Sequence, residues 1–270
     1  MRERVGAGLR ESKMIARSMM TAAALAMAAS AAPAMAQTAV VPDAYTDADA
    51  PLAQFAVLGN PTNSEFTFQY VIAAAELGSV PVGSTINSIG FRFAGTPFLL
   101  PSGSASYSRY DLQIGQSANP LTSLSTTFDA NLGADTVLVR SGALAIPDGA
   151  FVDLPGEGPN PFYDLSFGTP YTYTGGDLAV TIRAIPTIGN PAIAVDAFAP
   201  NTTSVNTVSL AFSANATTGT VGVANAPVTR FGFAAAGVVP EPSSWAMMIG
   251  GFGLAGGALR RRARREAFAA

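Results

Sequence analysis

Between residues 37 and 239 the apolar positions fall into short runs broken by Gly, Pro, Asn and Ser clusters. Phe66–Ile72, Ile86–Phe93, Tyr110–Ile114, Thr136–Val139, Tyr163–Phe167, Leu178–Ile185, Val205–Phe212 and Val228–Phe233 each read as a strand. They are short, rich in β-branched and aromatic residues, and bounded by turn formers. In Ile89-Gly90-Phe91-Arg92-Phe93 the alternation puts Ile89, Phe91 and Phe93 on one face. Leu178–Ile185 alternates less cleanly and predicts a half-buried strand with one blurred end. Helical periodicity is confined to segments of about eight residues or fewer, Val71–Leu77 being the best candidate. About ten strands with frequent turn signals predict an all-β fold, an antiparallel β-sandwich that is jelly-roll-like. Residues 37–52, holding Pro42, Asp43, Asp47, Asp49 and Pro51, read either as a mobile lead-in or as an edge strand. Ala234–Val239 reads as a linker.

Both ends of the chain break this pattern. A basic stretch ending at Arg17 precedes an Ala/Met/Leu run from about residue 18 to 32, and Ala34-Met35-Ala36 then supplies a small-x-small site before Gln37. Residues 1–36 are therefore expected to be a secretory signal peptide cleaved between Ala36 and Gln37, with Met1 or Met14 as the start. At the other end, 243–259 is 17 residues without a charge, the lower limit for one transmembrane helix. Trp245 lies at its outer end and Arg260, Arg261 and Arg262 at its inner end. Positive residues stay on the cytoplasmic side, so residues 37–239 face outward. Gly253 and Gly257 form a GxxxG that suits close helix packing, a plain anchor being the alternative.

Pro240-Glu241-Pro242, then Trp245-Ala246-Met247-Met248, the Gly-rich span and the Arg cluster together resemble the PEP-CTERM sorting signal, over residues 240–265. The resemblance implies recognition by exosortase, a membrane protein that cleaves near the Pro-Glu-Pro, and a Gram-negative host that makes exopolysaccharide. The same tail carries an ice-binding C-terminal label, which says nothing of ice binding by the body. The chemistry of the tail is coherent with such a role. Two prolines around Glu241 hold the backbone extended and defer the helix to residues after Pro242. The arginines then fix that extended peptide at one depth.

Composition narrows the chemistry further. The chain has no Cys and no His, which removes disulfides, thiolate nucleophiles, imidazole relays and the commonest zinc ligands. Residues 37–239 carry five arginines, no lysine and fourteen carboxylates. Such an acidic body argues against nucleic-acid binding. Asp47 and Asp49 have an i, i+2 spacing seen in calcium loops but lack the rest of an EF-hand. Asp148, Asp153, Glu157 and Asp164, followed by Tyr163, Tyr171 and Tyr173, would suit a sugar-binding or glycoside-active surface, and read equally well as loop acids and strand tyrosines. Thr172, Thr174, Thr202, Thr203, Thr217 and Thr218 are too scattered for an ice-matching array. Neither a phosphate-binding Gly loop nor a Gly-x-Ser-x-Gly elbow is present.

The expectation is an exported envelope or matrix protein, structural or adhesive in an exopolysaccharide setting, with no enzymatic activity, cofactor or metal. Its expected partners are the export machinery, exosortase, the membrane through the tail helix, and exopolysaccharide. A carbohydrate-binding module, or a secreted glycoside-active enzyme, is the alternative.

Overall fold

The structure, a computed structural model, describes residues 36–55, 57–58, 64–95, 98, 102–154, 156, 158–236, 251, 252, 256 and 260. The expected signal peptide before Ala36 and most of the expected 243–259 helix lie outside the described residues. Among the described residues no helix is long and apolar enough to cross a membrane.

All eight runs singled out in the sequence are strands. They are β3 (Phe66–Ile72), β4 (Thr85–Arg92), β5 (Ala105–Gln116), β6 (Val137–Arg140), β8 (Phe162–Thr172), β9 (Leu178–Pro186), β11 (Val205–Ala211) and β14 (Thr229–Ala234). Six further strands are present among the described residues: β1 (Ala36–Val41), β2 (Leu52–Gln54), β7 (Leu144–Ile146), β10 (Val195–Phe198), β12 (Thr220–Val221) and β13 (Ala226–Pro227). The segment read as a candidate helix is strand through Ile72 and then a single 3-10 turn, Ala74–Leu77.

Pairing is antiparallel throughout. One sheet has the order β1-β14-β4-β8; a second has the order β12-β11-β3-β9-β5-β6, with β7 also on β5; a small third sheet is β13-β10-β2. Ile86, Ile89, Phe91, Phe231 and Phe233 of the first sheet share one apolar cluster with Phe68, Tyr70, Leu112, Ile114, Val180 and Ile182 of the second. The two large sheets thus form the layers of a sandwich-like body, each presenting alternate residues inward.

Of residues 37–52, the first five resolve as the edge strand, and residues 42–51 form a 3-10 turn and loop leading to β2. Six consecutive pairs, from Ala36↔Ala234 to Val41↔Thr229, join β1 to β14. β1 is an edge strand, and the chain enters the sheet at the end where it leaves it.

The half-buried reading of Leu178–Ile185 needs correction, because β9 is covered on both faces. Its outer face meets a smaller cluster in which Val71, Ala179 and Val208 pack under Leu121, Leu124 and Phe128. Polar side chains on that covered face satisfy one another. Gln69 donates to Thr181 Oγ1 at 2.8 Å and to the Phe128 carbonyl at 2.9 Å, while Asn131 donates to Gln69 Oε1 at 2.8 Å. A buried amide left unpaired would cost about 1–3 kcal/mol, so this network fixes how the covering segment docks.

The small sheet is tied down differently. Arg92 and Asp196 are both buried, with Nη2 to Oδ2 at 2.6 Å and Nε to Oδ2 at 2.8 Å. Asp196 also accepts the Ala50 amide at 3.0 Å, and Arg92 donates to the Ala48 carbonyl. Arg92 lies 5.1 Å from the Phe162 ring centroid, and Arg230 lies 4.7 Å from it. One ion pair therefore joins β4, β10 and the segment leading into β2. Removing one partner of a buried pair strands the other charge, so Asp196→Ala is expected to lower stability by about 3–5 kcal/mol in urea titration. A loss below about 1 kcal/mol would mean that water reaches Arg92.

Candidate functional site

The residues of the expected sites begin at the two ends. Ala34 lies outside the described residues, whereas Ala36 and Gln37 are exposed and open β1. Ala36 faces Ala234, and Gln37 faces Phe233. Pro240, Glu241, Pro242, Trp245, Arg261 and Arg262 lie outside the described residues. Arg260 is helical and exposed, as are Gly251, Phe252 and Gly256. The start of the body and the last strand before the tail are thus neighbours in one ladder.

The expected acid and tyrosine cluster does not assemble into a sugar surface. Tyr171 and Tyr173 are 1% and 3% exposed, so neither ring is available for stacking on a sugar. Their hydroxyls donate to Asp135 Oδ2 at 2.7 Å and to the Gly176 carbonyl at 2.8 Å. Tyr163 is part-buried, with its ring centroid 5.5 Å from that of Phe151. The acids have separate partners. Asp148 accepts the Gly103 amide, Asp153 accepts from Asn160, and Asp164 pairs with Arg230. Glu157 lies outside the described residues. The Asp164–Arg230 pair sits over Gly90, where a Cβ would strike Asp164 Oδ1.

Asp47 and Asp49 are exposed in the loop after the Asp43–Tyr45 turn. Among the described residues no group of three or more acids is placed to hold a metal. Thr172 and Thr174 lie at the end of β8, Thr202 and Thr203 in the loop before β11, and Thr217 and Thr218 between β11 and β12. The three pairs lie in separate parts of the chain and share no strand.

Two features escaped the sequence reading. The first is a groove of about 390 Å³ where β6 faces a bulge in β8. Ser88 pairs Ser166 and Ile86 pairs Tyr171, so residues 167–170 bow out opposite Asn87 alone. Leu138, Arg140, Ser141, Phe167 and Thr169 line the result. Arg140 is occupied within the body, donating to the Tyr110 and Ala143 carbonyls. The second is Asp135, which ties the β5–β6 turn to β8 by accepting from Tyr171, Thr174 and the Gln116 amide. Neither leaves a trace in periodicity, since each depends on two sheet edges meeting.

The carboxyls respond to these settings in opposite directions. Burial pushes the Asp196 carboxyl up to about 6, the loss of hydration outweighing Arg92 and the Ala50 amide. For Asp135, partial burial opposes the charge, but the donors Tyr171, Gln116 and Thr174 outweigh it and hold the carboxyl below the usual 3.8. The native state therefore binds this proton less readily than the unfolded chain. Its stabilising contribution is present above about pH 4 and is lost as pH falls through the native titration. The stability gap between wild type and Asp135→Asn is expected to shrink as pH falls from about 6 to about 2 in chemical denaturation. A gap that stays constant across that range would remove Asp135 as a charged tie.

Against known proteins, residues 238–263 match the PEP-CTERM protein-sorting motif. Comparison with curated proteins and with solved structures gave no match.

Proposed function

We propose that this chain with a PEP-CTERM sorting tail is an exported, non-enzymatic protein of the cell envelope or extracellular matrix, structural or adhesive in an exopolysaccharide setting. The motif at residues 238–263 carries the reading, since such a tail implies export and processing by exosortase. The body supports it in kind. Tyr171 and Tyr173 are spent internally, Asp148, Asp153 and Asp164 each have a separate partner, and the described part is a sandwich-like β fold. Such a body serves as a stable unit to be displayed or incorporated in a hydrated polymer. A jelly-roll-like wrap belongs to the same reading, supported by the pairing of the first and last strands in one sheet.

In this reading the signal peptide is cut between Ala36 and Gln37. The 243–259 helix then holds the precursor in the inner membrane with Arg260, Arg261 and Arg262 inside. Exosortase engages the extended Pro240-Glu241-Pro242 peptide and frees the body from its helix, leaving it in the envelope, on the surface or in the matrix.

The intact mass of protein recovered from cells and medium tests this. A species beginning at Gln37, ending near Pro242 and lacking Trp245 is expected. One beginning at Gln37 but retaining Ala270 would make the tail a permanent anchor.

A further inference from the structure

The ladder that brings the two ends together also gives the body two unlike poles. Along the β1-β14-β4-β8 sheet, the first cross-strand row is Ala36, Ala234, Thr85 and Thr172, and the second is Gln37, Phe233, Ile86 and Tyr171. Every charged side chain of these four strands lies toward the other end: Arg230 and Asp164 flank Gly90, and Arg92 follows. The turns that close the first end, residues 81–84 and 173–176, are also uncharged. Val82 is 66% exposed there, beside Gly175. At the same end of the neighbouring sheet, Asp135 and Asp177 accept hydrogen bonds, the latter from the Ala74 amide, and Glu76 adds a third carboxylate. The opposite pole holds Asp43, Asp47, Asp49, Glu65, Asp148 and Asp153 in or beside its loops.

The last described residues before the tail are held at the less charged pole. Gly83 has a φ of +88° and lies so close to Ala236 that a Cβ on it would come within 3.2 Å of the Ala236 methyl. From Ala236 to Ser243 an extended chain reaches at most about 25 Å. The 12-residue β5 alone is about 40 Å long. A body tethered by so short a leash cannot turn its acidic pole to the bilayer without moving its anchored pole away. Anionic headgroups would also repel the six carboxylates of that pole more strongly than the three, Asp135, Asp177 and Glu76, beside the anchored one.

We propose that the pole formed by Ala36–Gln37, the residue 81–84 turn, the residue 173–176 turn and Ala234–Ala236 is the face this protein presents to the lipid headgroup surface while its tail is uncut. The acidic loops project away from the membrane, toward whatever the body meets outside. This inference rests on the reading of the tail as membrane-inserted. It adds an orientation and a contact surface that the motif does not specify.

The chain has no cysteine, so single-cysteine variants can be labelled at one site each. Val82→Cys at the less charged pole and Ile188→Cys at the opposite one, where the side chain is 95% exposed, would carry an environment-sensitive fluorophore. The full chain with its uncut tail is reconstituted into vesicles of mixed zwitterionic and anionic phospholipid containing a nitroxide-headgroup lipid. Quenching at residue 82 is expected to exceed that at residue 188 several-fold, and to vanish when the tail is cut off. Equal quenching at the two sites, or stronger quenching at residue 188, would overturn the orientation while leaving the tail reading intact. Failure of the protein to float with the vesicles would overturn both.

Discussion

The β1–β14 ladder is the constraint from which the rest of the arrangement follows. It joins the first and last strands of the body in six consecutive pairs. Because the strands are antiparallel, the incoming and outgoing chain share one end of one sheet. Closing this ladder spans nearly the whole body in sequence, so its loop entropy is met only when the strands between have formed their own pairs. Ala36 and Gln37 precede Ala234 by about 200 residues in the chain.

Inside this frame the two faces of the large sheet do different jobs. The inner face shares the main apolar cluster with the four-stranded sheet. The outer face is covered by the Leu121–Phe128 region and fixed in register by Gln69, Thr181 and Asn131. The four-stranded sheet is left with an outer face that is plain at one end and charged at the other. At the charged end Arg92 and Asp196 bind the small third sheet to it. Folding energetics and surface polarity thus have one origin, since the charges that dock the small sheet all lie away from the end where the chain enters and leaves.

How much of this could be read from the residues depends on how local each cause is. The eight runs were legible because short β-rich stretches bounded by turn formers mark strands, and where one face is buried, as over residues 110–114, a period of two is added. The tail was legible because prolines, an uncharged span and arginines act at fixed short spacing. β10 was not legible, since Asp196 interrupts Val195–Phe198 with a charge that only Arg92, 104 residues away, makes tolerable. Tyr171 was legible as a strand tyrosine, whereas Tyr173 lies just past the end of β8, and pattern alone does not reveal that both are covered. β9 misled for the same reason: alternation reports one buried face and is silent about a loop lying over the other. The assignment of β1 stayed open between lead-in and edge strand because its partner lies at the far end of the chain.

The most direct test of the account is amide hydrogen exchange of the mature body, followed by mass spectrometry of the peptide covering residues 37–41. If β1 closes the sheet against β14, these amides exchange as slowly as those of residues 229–234, and both are released together when β14 is weakened by Phe231→Ala. Exchange of residues 37–41 at the rate of an unstructured peptide, with β14 still protected, would contradict the account, leaving the start of the body a loose lead-in and the shared pole without its ladder.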